Sequence, residues 1–266
     1  MRIKYLCPRC SGHKLYKIRR SKHRCAQCKY EWNPQQLPLR FSRSEWEQVL
    51  RWFLHGLSTQ TMAQETGLNR HRILRALLQV RTVMLQEVPE GFSGTVEIDE
   101  TYLGGQWKNK RAKQKQTPAK RGRGTLKTPV FGILCRGGKV WAEVVPDVEA
   151  KTLMPLISRQ VKPGSTICSD TWKSYTGIAA KGYVHRLVDH GKKEYADRQG
   201  NHINGLEGFW GYLKRRLAAK GGIRREKLPL YLAEYVWRYN HRKQKIPQQI
   251  NEIVHLLLKN KYAKFN

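Results

Sequence analysis

Acidic residues are scarce in this chain: Asp and Glu number 20 against 51 Lys and Arg, a formal net charge of +31 in 266 residues. Such an excess repels itself unless a polyanion neutralises it, which points to nucleic acid and leaves few carboxylates that could be idle. Long apolar runs are also missing. None approaches the roughly 20 residues needed to span a bilayer, so no membrane association is expected. The start, Met1-Arg-Ile-Lys-Tyr-Leu6, runs into a cysteine pair instead of a signal-peptide core. A soluble, cytoplasmic protein is expected. No internal repeat is evident, so a solenoid is excluded.

The cysteines that are present divide four and two. Cys7, Cys10, Cys25 and Cys28 form two C-x2-C pairs separated by 14 residues. In a chain without a secretory signal, this spacing predicts one structural Zn²⁺ held by four thiolates, not disulfides. Residues 1–36 are too few to bury a core unaided, so they read as a zinc ribbon folded by its metal. Its basic residues, with Tyr30 and Trp32, suit a module touching the DNA backbone or docking on protein. Cys135 and Cys168 lie in apolar runs and read as small hydrophobes.

Pro34 and Pro38 mark a linker, and residues 40–88 turn helical. Ser42 or Ser44 caps a first helix carrying Trp46, Val49, Leu50 and Phe53. Gly56 stops it. Ser58 caps a short second helix, Gly67 supplies a turn, and Asn69 caps a third helix with Ile73, Leu77 and Val80 on its apolar face. This is the pattern of a helix-turn-helix. Arg70 and Arg72, at the start of its third helix, stand where base-reading side chains enter a major groove.

After Pro89 the texture changes to strands, and residues 93–220 read as a catalytic core. In Thr95 to Leu103, alternation puts Val96, Ile98 and Glu100 on one face and Glu97, Asp99 and Thr101 on the other. Residues 128–135 and 139–145 add two strands joined by Arg136-Gly-Gly138. A helix around 150–160, a strand ending at Asp170, a helix around 171–180, a strand at 183–188 and a helix over 203–217 complete the order βββαβαβα. That order predicts a ribonuclease-H-like fold. The segment 104–128 carries nine basic residues and no acid, and reads as a DNA-clamping insertion in which Lys113 and Lys115 contact phosphates. Residues 224–266 hold two more helices, expected to cover the sheet. The whole is a multidomain α+β chain.

Three acids end two strands and open a helix: Asp99, Asp170 and Glu207. Cutting or joining a phosphodiester needs an activated hydroxyl and countercharge on the phosphorus oxygens, and two Mg²⁺ (or Mn²⁺) ions held by hard carboxylate ligands supply both. Asp99 would bridge the ions, with Asp170 completing one site and Glu207 the other. Lys214, two helical turns past Glu207, and its neighbour Arg215 would lie along the DNA backbone. Trp210 sits in an apolar stripe with Leu206, Leu213 and Leu217, and reads as core.

The runs Val96-Glu-Ile-Asp-Glu-Thr-Tyr-Leu-Gly-Gly105, Cys168-Ser-Asp-Thr-Trp-Lys-Ser-Tyr175 and His202-Ile-Asn-Gly-Leu-Glu-Gly-Phe-Trp-Gly-Tyr-Leu-Lys-Arg215 resemble the catalytic segments of DDE transposases of bacterial insertion sequences. The group with an N-terminal zinc ribbon and helix-turn-helix is most similar. The resemblance implies Asp99, Asp170 and Glu207 as catalytic triad, with metal-dependent cleavage at terminal inverted repeats and joining of the 3′-hydroxyl to target DNA. It also implies double-stranded DNA partners, both element ends and target, and a homo-oligomer in the synaptic complex. Gly205 stands where the motif has Thr. Some relatives place Asn or His at the third position, and Asn204 and His202 lie within a turn of Glu207. Two other classes remain: a non-catalytic zinc-ribbon and helix-turn-helix regulator, and a ribonuclease-H-like nuclease.

Overall fold

The structure is a computed structural model that describes residues 7–19, 22–34, 36–89, 91–104, 127–170, 177–188 and 203–259. Two compact units divide the chain: 1–84 with 244–266, and 85–243. Among the described residues no helix is long and apolar enough to cross a membrane.

The first unit opens with a three-stranded antiparallel sheet of β1 (Leu15–Ile18), β2 (Lys22–Cys25) and β3 (Glu31–Trp32). Three helices follow: α1 (Arg43–His55), α2 (Thr59–Thr66) and α3 (Arg70–Gln86). Ser42 accepts from the backbone N–H of Glu45, whose carboxylate accepts from the N–H of Ser42 at 2.7 Å. This reciprocal cap satisfies two amides that the helix cannot. Gly56 and Gly67 both take left-handed backbone after their helices, which glycine adopts without a Cβ penalty. Trp46, Val49, Leu50, Met62, Ile73, Ala76 and Val80 have no exposed surface.

The second unit is built on a five-stranded sheet of β4 (Thr95–Leu103), β5 (Thr128–Cys135), β6 (Val140–Val144), β7 (Thr166–Asp170) and β8 (Val184–Val188), in the order β6-β5-β4-β7-β8. β5 runs antiparallel to both neighbours, and β7 pairs parallel with β4 and β8. Only β5 is therefore reversed. One face, with Val96, Ile98, Phe131, Ile133 and Ile167, packs on Leu153 and Ile157 of α4 (Ala150–Gln160). The other, with Leu103, Val130, Leu134 and Val140, packs on Leu206, Phe209, Trp210 and Leu213 of α5 (Asn204–Ala218) and Leu232 and Tyr235 of α6 (Leu228–Asn240).

The strands expected between 93 and 220 and the helices expected around 150–160 and over 203–217 are present among the described residues; the helix expected around 171–180 falls mostly outside them. Residues 171–176 of that stretch lie outside the described residues, and a single 3-10 turn occupies Ala179–Lys181. The two C-terminal helices do not both cover the sheet. α6 does, whereas α7 (Ile246–Lys259) packs on α1, where Arg43 donates to Asn251 Oδ1 at 3.0 Å. An amphipathic stripe states that a face must be buried, not against what.

Candidate active site

Asp99 lies in the middle of β4, directly opposite Gly132 of β5. A Cβ on Gly132 would stand 2.6 Å from the Trp210 ring, so the missing side chain is what lets the indole lie across β5. From there the Nε1–H of Trp210 donates to Asp99 Oδ2 at 3.0 Å. Burial first, then the charges of Glu100 and Asp170, push the Asp99 carboxyl up from 3.8 to about 7, against the opposing effects of the Glu100 backbone N–H and Trp210.

Asp170 closes β7. The parallel ladder ends with Glu97 opposite Cys168, so Asp99 and Asp170 each stand two residues further along on the same face, just past the carboxyl end of that pairing. That side of a parallel strand pair is where open α/β sheets place ligands. Ser169 points to the opposite face and meets His185 Nε2 at 2.8 Å.

Glu207 is exposed on the first turn of α5. It precedes Trp210 by three residues, a spacing that sets side chains about 5 to 6 Å apart on one flank of a helix. The structure therefore brings Asp99 and Asp170 together and hangs Glu207 from the helix bonded to Asp99. The three carboxylates do not form a group with all ligand atoms within 4.8 Å. Lys214 and Arg215 are exposed further along the same helix. Asn204 is its first residue, while His202, Lys113 and Lys115 lie outside the described residues.

Among the described residues, Cys7, Cys10, Cys25 and Cys28 are the metal-ligating group of three or more whose ligand atoms all lie within 4.8 Å of one another. Cys7 and Cys28 Sγ stand 3.4 Å apart, Cys10 and Cys25 Sγ 3.5 Å, near the roughly 3.8 Å edge of a tetrahedron with 2.3 Å Zn–S bonds. The residues fit zinc. Both knuckles share one backbone form: Ser11 and Lys29 follow the second cysteine of each pair with φ of 58°. Without a cation the four thiols share protons: the backbone N–H of Cys28 leads in pulling Cys25 down to about 6, while, against the Gly12 backbone N–H, hydrogen bonds from the neighbouring cysteines push Cys10 up to about 12. Trp32 is buried with Cys7 and Cys25, so it is core, and Tyr30 stacks on its outer side.

Arg70 Nε donates to Thr59 Oγ1 at 3.3 Å, and the Arg72 guanidinium stacks 4.4 Å above the Phe41 ring and 3.8 Å from Glu45. Both sit at the start of α3 as expected, but Arg72 is held by its own fold.

Residues 91–240 match the ISXO2-like transposase domain. The chain belongs to that transposase family. It is a bacterial insertion-sequence transposase, and the matched stretch falls within the second unit. An uncharacterized transposase-like protein of Haemophilus influenzae is 39% identical over 103 residues, 39% of this transposase and 82% of that protein. Among solved structures, the Mos1 strand transfer complex aligns over 86% of this chain and 80% of that one at 12% identity and a TM-score of 0.28. The Mos1 paired-end complex with the left transposon end aligns over 84% and 80% at 13% identity and a TM-score of 0.25.

The sequence pattern shows neither the donor to Asp99 nor the partners of Glu97. Trp210 is core as its stripe predicts, 4% exposed, yet its N–H also serves Asp99. The available signal was Gly132, a glycine inside a buried strand, which marks a close approach. Glu97, without exposed surface, shares the face of Asp99, and alternation alone does not say what it holds. Gly205, in place of the expected Thr, is explained: a Cβ there would stand 2.9 Å from Glu97 Oε2.

Proposed function

We propose that this transposase binds the terminal inverted repeats of its element and cuts and joins DNA with a divalent-metal site built from Asp99, Asp170 and Glu207. The observation that carries the reading is the placement of Asp99 and Asp170 two residues past the last register pair of adjacent parallel strands, close enough that the Asp170 charge adds to burial in raising the Asp99 carboxyl to about 7. Two carboxylates crowded into a half-buried site are unfavourable without a cation, and an all-oxygen donor set suits Mg²⁺ or Mn²⁺. The sheet order with one reversed strand supports a ribonuclease-H-like core.

Bound there, two such ions would supply an activated hydroxyl and charge neutralisation at the phosphorus. The protein's part is to hold acceptor oxygens in place. Asp99 is fixed from the helix side by Trp210, Asp170 stands beside it, and Glu207 approaches from the exposed side of α5, open to DNA. Lys214 and Arg215 prolong that helix as phosphate contacts. In the first unit, α2 and α3 act as a helix-turn-helix and the four cysteines hold one Zn²⁺; the basic stretch 104–128, which belongs to the second, clamps DNA. The working particle is a homo-oligomer on paired ends at the nucleoid.

Purified protein, labelled end-bearing duplex, unlabelled target plasmid and Mg²⁺ test this together. Label should appear in the plasmid. Nicking without transfer would favour a nuclease, and binding without nicking a regulator.

A further inference from the structure

Glu97 is a carboxylate with no exposed surface, two residues before Asp99 on the same face of β4. Acids are almost never that deep without partners. Its Oε2 accepts the backbone N–H of Leu206 at 2.8 Å, the shorter arm of a bond that this amide shares with Ile203 O at 3.1 Å, and its Oε1 lies 3.4 Å from Arg136 Nε. Arg136 Nη2 reaches Cys168 Sγ at 3.7 Å, and the Arg136 backbone N–H donates to Thr95 O at 3.1 Å. One carboxylate thus joins the strand of Asp99, the strand of Asp170 and the first turn of the helix that carries Glu207.

The second bond between β4 and α5 is the one from Trp210 to Asp99. Leu206 and Trp210 are four residues apart, about 6 Å along a helix axis, while Glu97 and Asp99 are two apart, about 6.7 Å along a strand. The two pitches nearly match, so these two bonds hold α5 along β4, and rotating the helix would break one or both. Glu207 directly follows Leu206. The Trp210 bond uses an oxygen of a proposed metal ligand, so Glu97 is the anchor that stays free of the reacting site. Gly205 permits the approach, because any Cβ there would push on Oε2.

We propose that Glu97 is a positioning residue: by holding the Leu206 amide it fixes the rotation of α5 and so where the Glu207 carboxylate stands relative to Asp99 and Asp170. This rests on the three-acid reading above. Glu97 itself touches neither metal nor DNA. Glu97→Gln keeps the shape but turns one acceptor into a donor facing an N–H or a guanidinium. Glu97→Asp keeps the charge but falls one methylene short.

The test uses full-length, zinc-loaded protein and two readouts: hydrogen exchange of amides 204–210 without Mg²⁺, and end cleavage across a Mg²⁺ titration. Glu97→Gln and Gly205→Ala should each speed exchange in the first turn of α5 by about tenfold with β4 still protected. Both should raise the half-saturating Mg²⁺ by about tenfold, with end binding unchanged. If Glu97→Gln does not fold, Glu97→Asp carries the same two expectations. Folded variants with parental exchange and parental metal midpoint, even with less total cutting, overturn the proposal and leave Glu97 a structural acid. A parent protein that shows no Asp99-dependent cutting would instead remove the three-acid reading, and the metal-free exchange would still decide whether Glu97 holds α5.

Discussion

Trp210 donates to Asp99 across 3.0 Å because residue 132, opposite Asp99 on the next strand, has no side chain. Asp99 is thereby tied to the helix that bears Glu207. Gly132→Ala drives a methyl into the indole, and overpacking of this kind costs about 1 to 3 kcal/mol. Denaturant unfolding should show a loss in that range, and an unchanged midpoint would mean the indole has other room.

Asp99 also sets a pH dependence. Its folded carboxyl titrates near 7 against 3.8 ordinarily, so the folded state binds the proton more tightly than the unfolded chain. The Asp99 contribution to the stability of magnesium-free, zinc-loaded protein should therefore fall as pH rises from about 4 to 7 and level off above, against the opposite trend of carboxyls held low, such as Glu45 and Asp147. Asp99→Asn removes that fall, leaving the variant more stable than the parent at pH 8 by more than at pH 5. Parallel unfolding curves at the two pH values check it, and an equal difference at both would contradict it.

Much of this arrangement is legible in the sequence because periodicity reports it. Alternation in β4 places Glu97 and Asp99 on one face, and the capping residues Ser42 and Ser58 mark where helices begin. What periodicity cannot state is which helix lies over which face. Hence the donor to Asp99 and the anchor at Glu97 emerge only in three dimensions, and α7 joins α1 instead of the sheet. Arg72 shows the same limit: its position on α3 was readable, its stacking on Phe41 was not.

For the ribbon, Cys28→Ser leaves a metal site that cannot close. Loss of stoichiometric zinc is expected, with unfolding confined to residues 1 to about 35. Zinc retained at one per chain with parental DNA binding would contradict the assignment.

In the helical unit, Arg70→Ala should weaken binding to element ends more than to random duplex, since a good base contact discriminates by about 1 to 3 kcal/mol. Arg72→Ala should do the same and also lower the thermal midpoint, because its stack on Phe41 contributes about 0.5 to 1 kcal/mol. Lys113→Ala and Lys115→Ala should weaken both DNAs alike and flatten the salt dependence. Competition binding at two salt concentrations separates these outcomes, and equal loss on both DNAs for the arginine variants would count against a reading helix.

The central claim is that Asp99, Asp170 and Glu207 form one metal-dependent DNA-cutting site. The most direct measurement is strand cleavage of end-bearing DNA in Mg²⁺ and Mn²⁺ by Asp99→Asn, Asp170→Asn and Glu207→Gln, beside a gel shift on the same DNA, with Asn204→Ala as control. All three acid variants should bind like the parent and fail to cut, while Asn204→Ala keeps more activity than Glu207→Gln. Cutting by Glu207→Gln at near the parental rate with Asn204→Ala inactive would move the third ligand, and parental cutting by all three acid variants would contradict the site altogether.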